Sequence, residues 1–133
     1  MKQNSYTSIQ SSNKGISRIK LNDPSTYNSL SLGMLKSLIT AFHDLEKDEK
    51  TRVIIIEGLG KGFSAGHNLK EVRSLKGKSN YNKLFDLCSE LMMAITNSNK
   101  PVIAKVHGAA FAAGCQLVAT CDLALSSNDA KFC

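Results

Sequence analysis

Two stretches of small residues have the composition to do chemistry. Gly58-Leu59-Gly60-Lys61-Gly62-Phe63-Ser64-Ala65-Gly66 follows the β-branched run Val53-Ile54-Ile55-Ile56. His107-Gly108-Ala109-Ala110-Phe111-Ala112-Ala113-Gly114-Cys115-Gln116 follows Val102-Ile103-Ala104-Lys105-Val106. Tiny side chains ahead of a helix let a ligand approach the backbone, and free N–H groups at the helix start can hold an oxyanion. The first stretch fails as a nucleotide loop. Phe63 stands where G-x-G-x-x-G needs its third glycine, and Lys61 is followed by Gly62 instead of Ser or Thr. Taken singly, one stretch reads equally as a flexible turn and the other as tight helix packing. Together they favour a shared site, because parallel strands bring their C-terminal ends to one edge, where open α/β sheets bind ligands.

Other reactive side chains carry less. His67 and His107 are candidate proton acceptors, and Cys115 beside His107 a candidate nucleophile. A structural role is expected for each, since nothing orients the pair and Cys115 should begin a buried helix. The four cysteines, Cys88, Cys115, Cys121 and Cys133, have no C-x-x-C spacing, so no metal site is expected. Three of them fall in apolar stretches, where a free Cys is a small core residue.

The positioning elements follow from periodicity. Residues Tyr6 to Gln10 and Ile16 to Leu21 alternate around the turn Ser11-Ser12-Asn13-Lys14-Gly15 and predict a hairpin. Ser31 is an N-cap for a helix with Leu32, Leu35, Leu38, Ile39, Phe42 and Leu45 on one face. A buried strand is predicted over Arg52 to Glu57. A second amphipathic helix runs from Tyr81 to Ile95, with Leu84, Phe85, Cys88, Leu91, Met92 and Ile95 on its stripe. Val102 to Val106 is a strand, an apolar helix ends at Thr120, and Asp122 to Leu125 closes as a buried strand. Strands alternating with helices predict an α/β architecture.

At 133 residues with 42% hydrophobic side chains, the chain is one domain with one core. No apolar run approaches the roughly 18 residues that span a bilayer, and a soluble protein is expected. The polar start Met1-Lys2-Gln3-Asn4-Ser5 has no apolar signal region and no Arg-rich amphipathic pattern. The cytoplasm is the expected location, with the mitochondrial matrix as the alternative. Net charge is +6, which favours acidic partners without choosing among them. Six of the basic residues (Lys61, Lys70, Arg73, Lys76, Lys78, Lys83) fall between positions 61 and 83 with one acid, Glu71. Tyr81 and Phe85 are close by, but no repeated aromatic platform exists, so no nucleic-acid partner is expected. The chain stops at Lys131-Phe132-Cys133, directly after the last predicted strand. It therefore reads as a truncated N-terminal core over residues 1–133. The apolar faces Leu84/Leu91/Ile95 and Leu117/Val118 are expected to lack neighbours and lie exposed.

Phe63-Ser64-Ala65-Gly66-His67-Asn68-Leu69-Lys70-Glu71 resembles the first oxyanion segment of the crotonase (enoyl-CoA hydratase/isomerase) superfamily. Pro101 to Ala104 and Gly114-Cys115-Gln116-Leu117-Val118-Ala119-Thr120-Cys121-Asp122-Leu123-Ala124 resemble its second, and Asn28-Ser29-Leu30 fits as well. The likeness runs from about Gly15 onward, and Gly66-His67 with Ala112 to Gln116 resembles one particular branch. It implies a spiral of ββα units whose C-terminal helical part is missing here. It implies an acyl-CoA thioester as substrate, with coenzyme A arriving as part of that substrate and no other cofactor. By the same resemblance, the backbone N–H groups of His67 and Ala113 form the oxyanion hole. Ala65, His67, Asn68, Leu69 and Lys70 lie against the substrate and its CoA, which gives the basic stretch a use. A homotrimer or hexamer is implied for the full-length protein. Three positions depart from the pattern. Ala113 stands where Gly is frequent, Asn68 replaces a usual Asp, and Gln116 occupies the place of a catalytic Glu. A carboxamide can orient water but cannot take its proton. Hydratase activity is therefore not assured, isomerisation is a rival, and a non-catalytic acyl-CoA-binding or partner-binding protein is the alternative from a different class.

Overall fold

A computed structural model describes residues 6–133, so the polar start at residues 1–5 lies outside the described residues. Strands β1 (Thr7–Ser11) and β2 (Ile16–Leu21) form the predicted antiparallel hairpin. Helix α1 (Leu32–Lys47) starts at Ser31, whose hydroxyl accepts the Met34 N–H at 3.1 Å and so satisfies one of the free donors of the first turn. Strand β3 (Val53–Gly58) leads through a loop to the short helix α2 (Leu69–Ser74) and the long helix α3 (Lys78–Thr96). Then come β4 (Val102–Val106), β5 (Ala109–Ala110), α4 (Ala113–Thr120), β6 (Leu123–Ser126) and β7 (Lys131–Phe132).

The main sheet has the order β1-β2-β3-β4-β6, with every pair after the hairpin parallel. Its register aligns Ile19 with Ile56 and Ile56 with Ala104. Side chains alternate across a strand. Ile19, Leu21, Ile54, Ile56, Val102, Ala104 and Val106 are all buried and share the core with the apolar faces of α1 and α3. Ile55 and Ile103, one residue out of phase, are only half-buried. Beside them Lys20 and Lys105 flank Glu57, with N···O distances of 3.8 and 3.0 Å. A second, smaller sheet pairs β5 with β7, and a single parallel bridge joins Ser64 to Ala110. Each turn of chain thus lays one segment in the main sheet and the next in the small one, which is the expected spiral.

Several expectations are corrected. Helix α3 begins three residues before Tyr81, and a separate short helix, α2, which buries no residue, stands ahead of it. Phe85 is 49% exposed instead of lying on the buried stripe; its ring turns toward His67. Leu84, Leu91, Ile95, Leu117 and Val118, expected to be exposed, are buried, because α3 packs on both α1 and α4. Exposed apolar residues occur elsewhere, among them Leu69 on α2 and, on β6, Leu123 and Leu125, which are 62% and 64% accessible. Strand β6 pairs with β4 along one edge, and it is not the buried strand expected. Of the cysteines, Cys88 is buried and Cys121 half-buried, with its thiol pushed up to about 12 by burial and by the adjacent Asp122 carboxylate.

Candidate functional site

Parallel pairing places the C-terminal ends of β3 and β4 side by side, and the two small-residue stretches leave from there. They cross in contact. Ser64 N–H donates to the Ala109 carbonyl at 3.0 Å, and Phe111 N–H to the Ser64 carbonyl at 2.9 Å. Glycine is required where the strands touch. A methyl group built on Gly114 would collide with the Ser64 carbonyl oxygen. At Gly66, with φ +84°, it would lie 2.8 Å from the Phe111 carbonyl oxygen and 3.1 Å from the Ala113 nitrogen. Gly66 and Ala113 are therefore neighbours in space, although 47 residues separate them.

That contact brings the two expected donors together. Among the described residues neither the His67 N–H nor the Ala113 N–H donates a hydrogen bond. Ala113 opens α4, where the first backbone donors have no partner within the helix. Ahead of it, Ala112 has φ +48° and ψ −120°, a conformation that disfavours any residue with a Cβ. Such strain costs on the order of 1–3 kcal/mol and clusters at functional sites. Here it turns the chain abruptly into α4.

Buried polar groups fix the first stretch. The Asn28 side chain, fully buried, donates to the Leu59 and Gly62 carbonyls at 2.8 and 3.0 Å and accepts from Asp23 N–H at 2.9 Å. Ser64, also fully buried, donates its hydroxyl to the Asn28 carbonyl at 2.9 Å and accepts from Gly66 N–H at 3.3 Å. Among the described residues no buried side-chain nitrogen or oxygen lacks a partner. Reactive residue types in the sequence give no sign of the roles of Asn28 and Ser64. The one signal was polarity inside otherwise apolar or small-residue stretches.

Beside the crossing opens a cleft of about 340 Å³, lined by Tyr27, Ala65, His67, Asn68, Leu69 and Lys70 among others. All five residues expected to touch substrate or CoA thus share one cavity. Asn68 caps α2 by accepting Glu71 N–H at 3.2 Å, so the amide oxygen performs the capping that a carboxylate would. His67 Nδ1 lies 3.3 Å from the Leu30 carbonyl. A carbonyl only accepts, so Nδ1 is the donor in this bond. Phe85 meets the imidazole edge-on, with ring centroids 5.4 Å apart. His107 is held differently, its Nε2 donating to the Gly60 carbonyl at 2.8 Å. Neither imidazole hydrogen-bonds Cys115. Gln116 lies three residues after Ala113 on α4 and is exposed, one turn along the same side of the helix. Its carboxamide has no hydrogen-bond partner among the described residues. No group of carboxylates, thiols and imidazoles able to hold a metal occurs among the described residues.

A profile of the family described as Enoyl-CoA hydratase/isomerase matches residues 11–133. The chain belongs to the enoyl-CoA hydratase/isomerase family. Within it, the chain is 46% identical over 118 residues to rat "Enoyl-CoA hydratase domain-containing protein 3, mitochondrial", covering 89% of this chain and 39% of that protein. The solved structure of an enoyl-CoA hydratase from Mycobacterium smegmatis superposes with a TM-score of 0.92 at 45% identity, over 96% of this chain and 49% of that one. Human enoyl-CoA hydratase domain-containing protein 3 gives a TM-score of 0.90 at 44% identity, over 96% and 50% of the two chains. The chain spans about two-fifths of the length of the curated relative and half of each solved enoyl-CoA hydratase family chain. The branch suggested by Gly66-His67 and Ala112 to Gln116 is the one that contains domain-containing protein 3. No helix among the described residues is long and apolar enough to cross a membrane.

Proposed function

We propose that the protein binds an acyl-CoA thioester, with the thioester oxygen held by the N–H groups of His67 and Ala113. The observation that carries this is the close approach of Gly66 to Ala113, which supports a pairing of two unpaired donors, one of them on His67 at the wall of the cleft. Two fixed donors in a site with little water stabilise the negative charge that develops on a thioester enolate. Lys70, at the rim of the cleft and followed by Arg73, Lys76 and Lys78, supplies positive charge for the CoA phosphates. Coenzyme A enters as part of the substrate, and no separate cofactor or metal has a role in this function. For the full-length protein the assembly we propose is a homotrimer or hexamer. The rat and human relatives named mitochondrial favour the mitochondrial matrix over the cytoplasm suggested by the polar N-terminus.

Hydration of a conjugated enoyl thioester needs a water oxygen to attack the β-carbon as its proton is removed. Electrons move to the thioester oxygen, and the α-carbon then takes a proton. The oxyanion donors serve only the middle of that sequence. Gln116 can hold the water but has no basicity near neutral pH. Hydration is therefore slow, and isomerisation, which moves one proton between carbons, suffers less. Gln116 also favours the second function, a non-catalytic acyl-CoA-binding protein that keeps the pocket. Calorimetric titration with butyryl-CoA, which cannot be hydrated, tests binding, and loss of the conjugated chromophore of crotonyl-CoA tests catalysis. We expect binding, little hydration, and a rise with Gln116→Glu inside the roughly 10²–10⁴-fold range of general acid–base catalysis. Absence of binding to any acyl-CoA would overturn the proposal. Hydration at ordinary enzyme rates by the unaltered protein would show that another group acts as base.

A further inference from the structure

Helix α2 carries Leu69 and Lys70 into the cleft, yet it is weakly anchored. It buries no residue, and only Val72 and the following Leu75 pack partly against the core. Its cap, Asn68, bonds within the same segment. One side chain reaches out. The Glu71 carboxylate accepts the backbone N–H of Leu32, the first residue of α1, at 2.9 Å. Among the described residues this is the one side-chain hydrogen bond from α2 to another element. Two further bonds run to the same strip of chain, from Leu30 N–H to the Gly66 carbonyl at 2.7 Å and from His67 Nδ1 to the Leu30 carbonyl at 3.3 Å. Residues 66–71 therefore hang on residues 30–32, with Glu71 at the far end.

From this geometry we infer that Glu71 is a positioning residue for the acyl-CoA cleft, an inference that rests on the function proposed above. Leu32 N–H is one of the donors that the first turn of α1 cannot satisfy itself, and an anion is favoured there. Glu71 fills that place from a segment 39 residues away. The same bond fixes the orientation of α2, so Leu69 and Lys70 are presented to the cleft instead of swinging with a loose helix. A backbone segment with few buried contacts opens locally far more readily than the core, and Glu71 opposes that opening at the wall of the cleft.

The test compares Glu71→Ala and Glu71→Gln with the unaltered protein. Amide exchange is read over residues 66–75, butyryl-CoA affinity by calorimetry, and intact folding by far-UV circular dichroism. Glu71→Ala is expected to speed exchange in 66–75 about tenfold while leaving β3 and β4 protected. It is expected to weaken butyryl-CoA binding about fivefold, in line with loss of one hydrogen bond. The amide oxygen of Glu71→Gln still accepts from Leu32 N–H, so both quantities should return to within about twofold of the unaltered protein. Unchanged exchange in Glu71→Ala, with binding intact, overturns the role of Glu71 alone. Equal damage from Gln and Ala overturns it as well. Failure of the unaltered protein to bind butyryl-CoA overturns the proposed function instead.

Discussion

The crossing of residues 62–66 with 108–114 and the segment from α2 into α3, residues 69–83, meet at one cleft through Ala65, Leu69 and Lys70 but are built by opposite means. At the crossing, backbone meets backbone, Asn28 and Ser64 are fully buried, and Gly114 has no room for a methyl group. In the second region α2 buries nothing, five exposed cations stand at Lys70, Arg73, Lys76, Lys78 and Lys83, and Gly77 has open space around it. In the function proposed above, donors that hold a reacting oxygen must be fixed in advance, because rearrangement during reaction would cost what they gain. The CoA phosphates of the same proposal need only charge nearby, and charge acts over several ångströms, so a looser scaffold suffices. One end of the cleft is specified by packing, the other by side-chain charge.

Matched glycine substitutions are the strongest way to break that contrast. Gly114→Ala should lower unfolding stability by about 3 kcal/mol, since backbone must shift to clear the Ser64 carbonyl. Gly77→Ala, strained only by its φ of +81°, should cost about 1 kcal/mol. Urea denaturation of both variants measures the difference, and equal losses would erase the distinction. Asn28→Ala should come next, at about 2 kcal/mol, because the Leu59 and Gly62 carbonyls lose their donor inside the fold. Faster amide exchange confined to residues 59–66 would sharpen the assignment of Asn28 to the crossing, and exchange rising everywhere would blunt it. The smallest effect on stability belongs to the basic helix. Lys70→Ala with Arg73→Ala should change unfolding free energy by less than about 0.5 kcal/mol. The same pair should weaken butyryl-CoA binding severalfold and flatten its dependence on salt. A stability loss like that of Gly114→Ala would mean that the second region is packed after all.

Much of this protein is written in short-range pattern. The 3.6 period of Leu35, Leu38, Ile39, Phe42 and Leu45 predicts α1, and Ser31 predicts its start to the residue. The run Val53 to Ile56 predicts β3, and two glycine-rich exits from parallel strands point to the edge that carries the cleft. Segments 63–71 and 101–124 are specific enough to resemble the family to which the chain belongs. These features are legible because each depends on residues within a turn or two of one another.

Tertiary structure decided what rests on residues far apart. Ala112 reads as an ordinary helix former, and its positive φ arises because the chain must turn into α4 between the Ser64 bridge and the contact with Gly66. Phe85 keeps the helical spacing of a core residue, but its ring packs against His67 from another segment and stays half exposed. Glu71 looks like one more charge on a solvated face until the Leu32 N–H, 39 positions earlier, donates to its carboxylate. Asn28 bonds carbonyls 31 and 34 residues ahead. Periodicity records which face of an element is apolar; it carries no record of which distant backbone group will stand opposite a given polar atom. That pairing exists only once the chain has closed on itself.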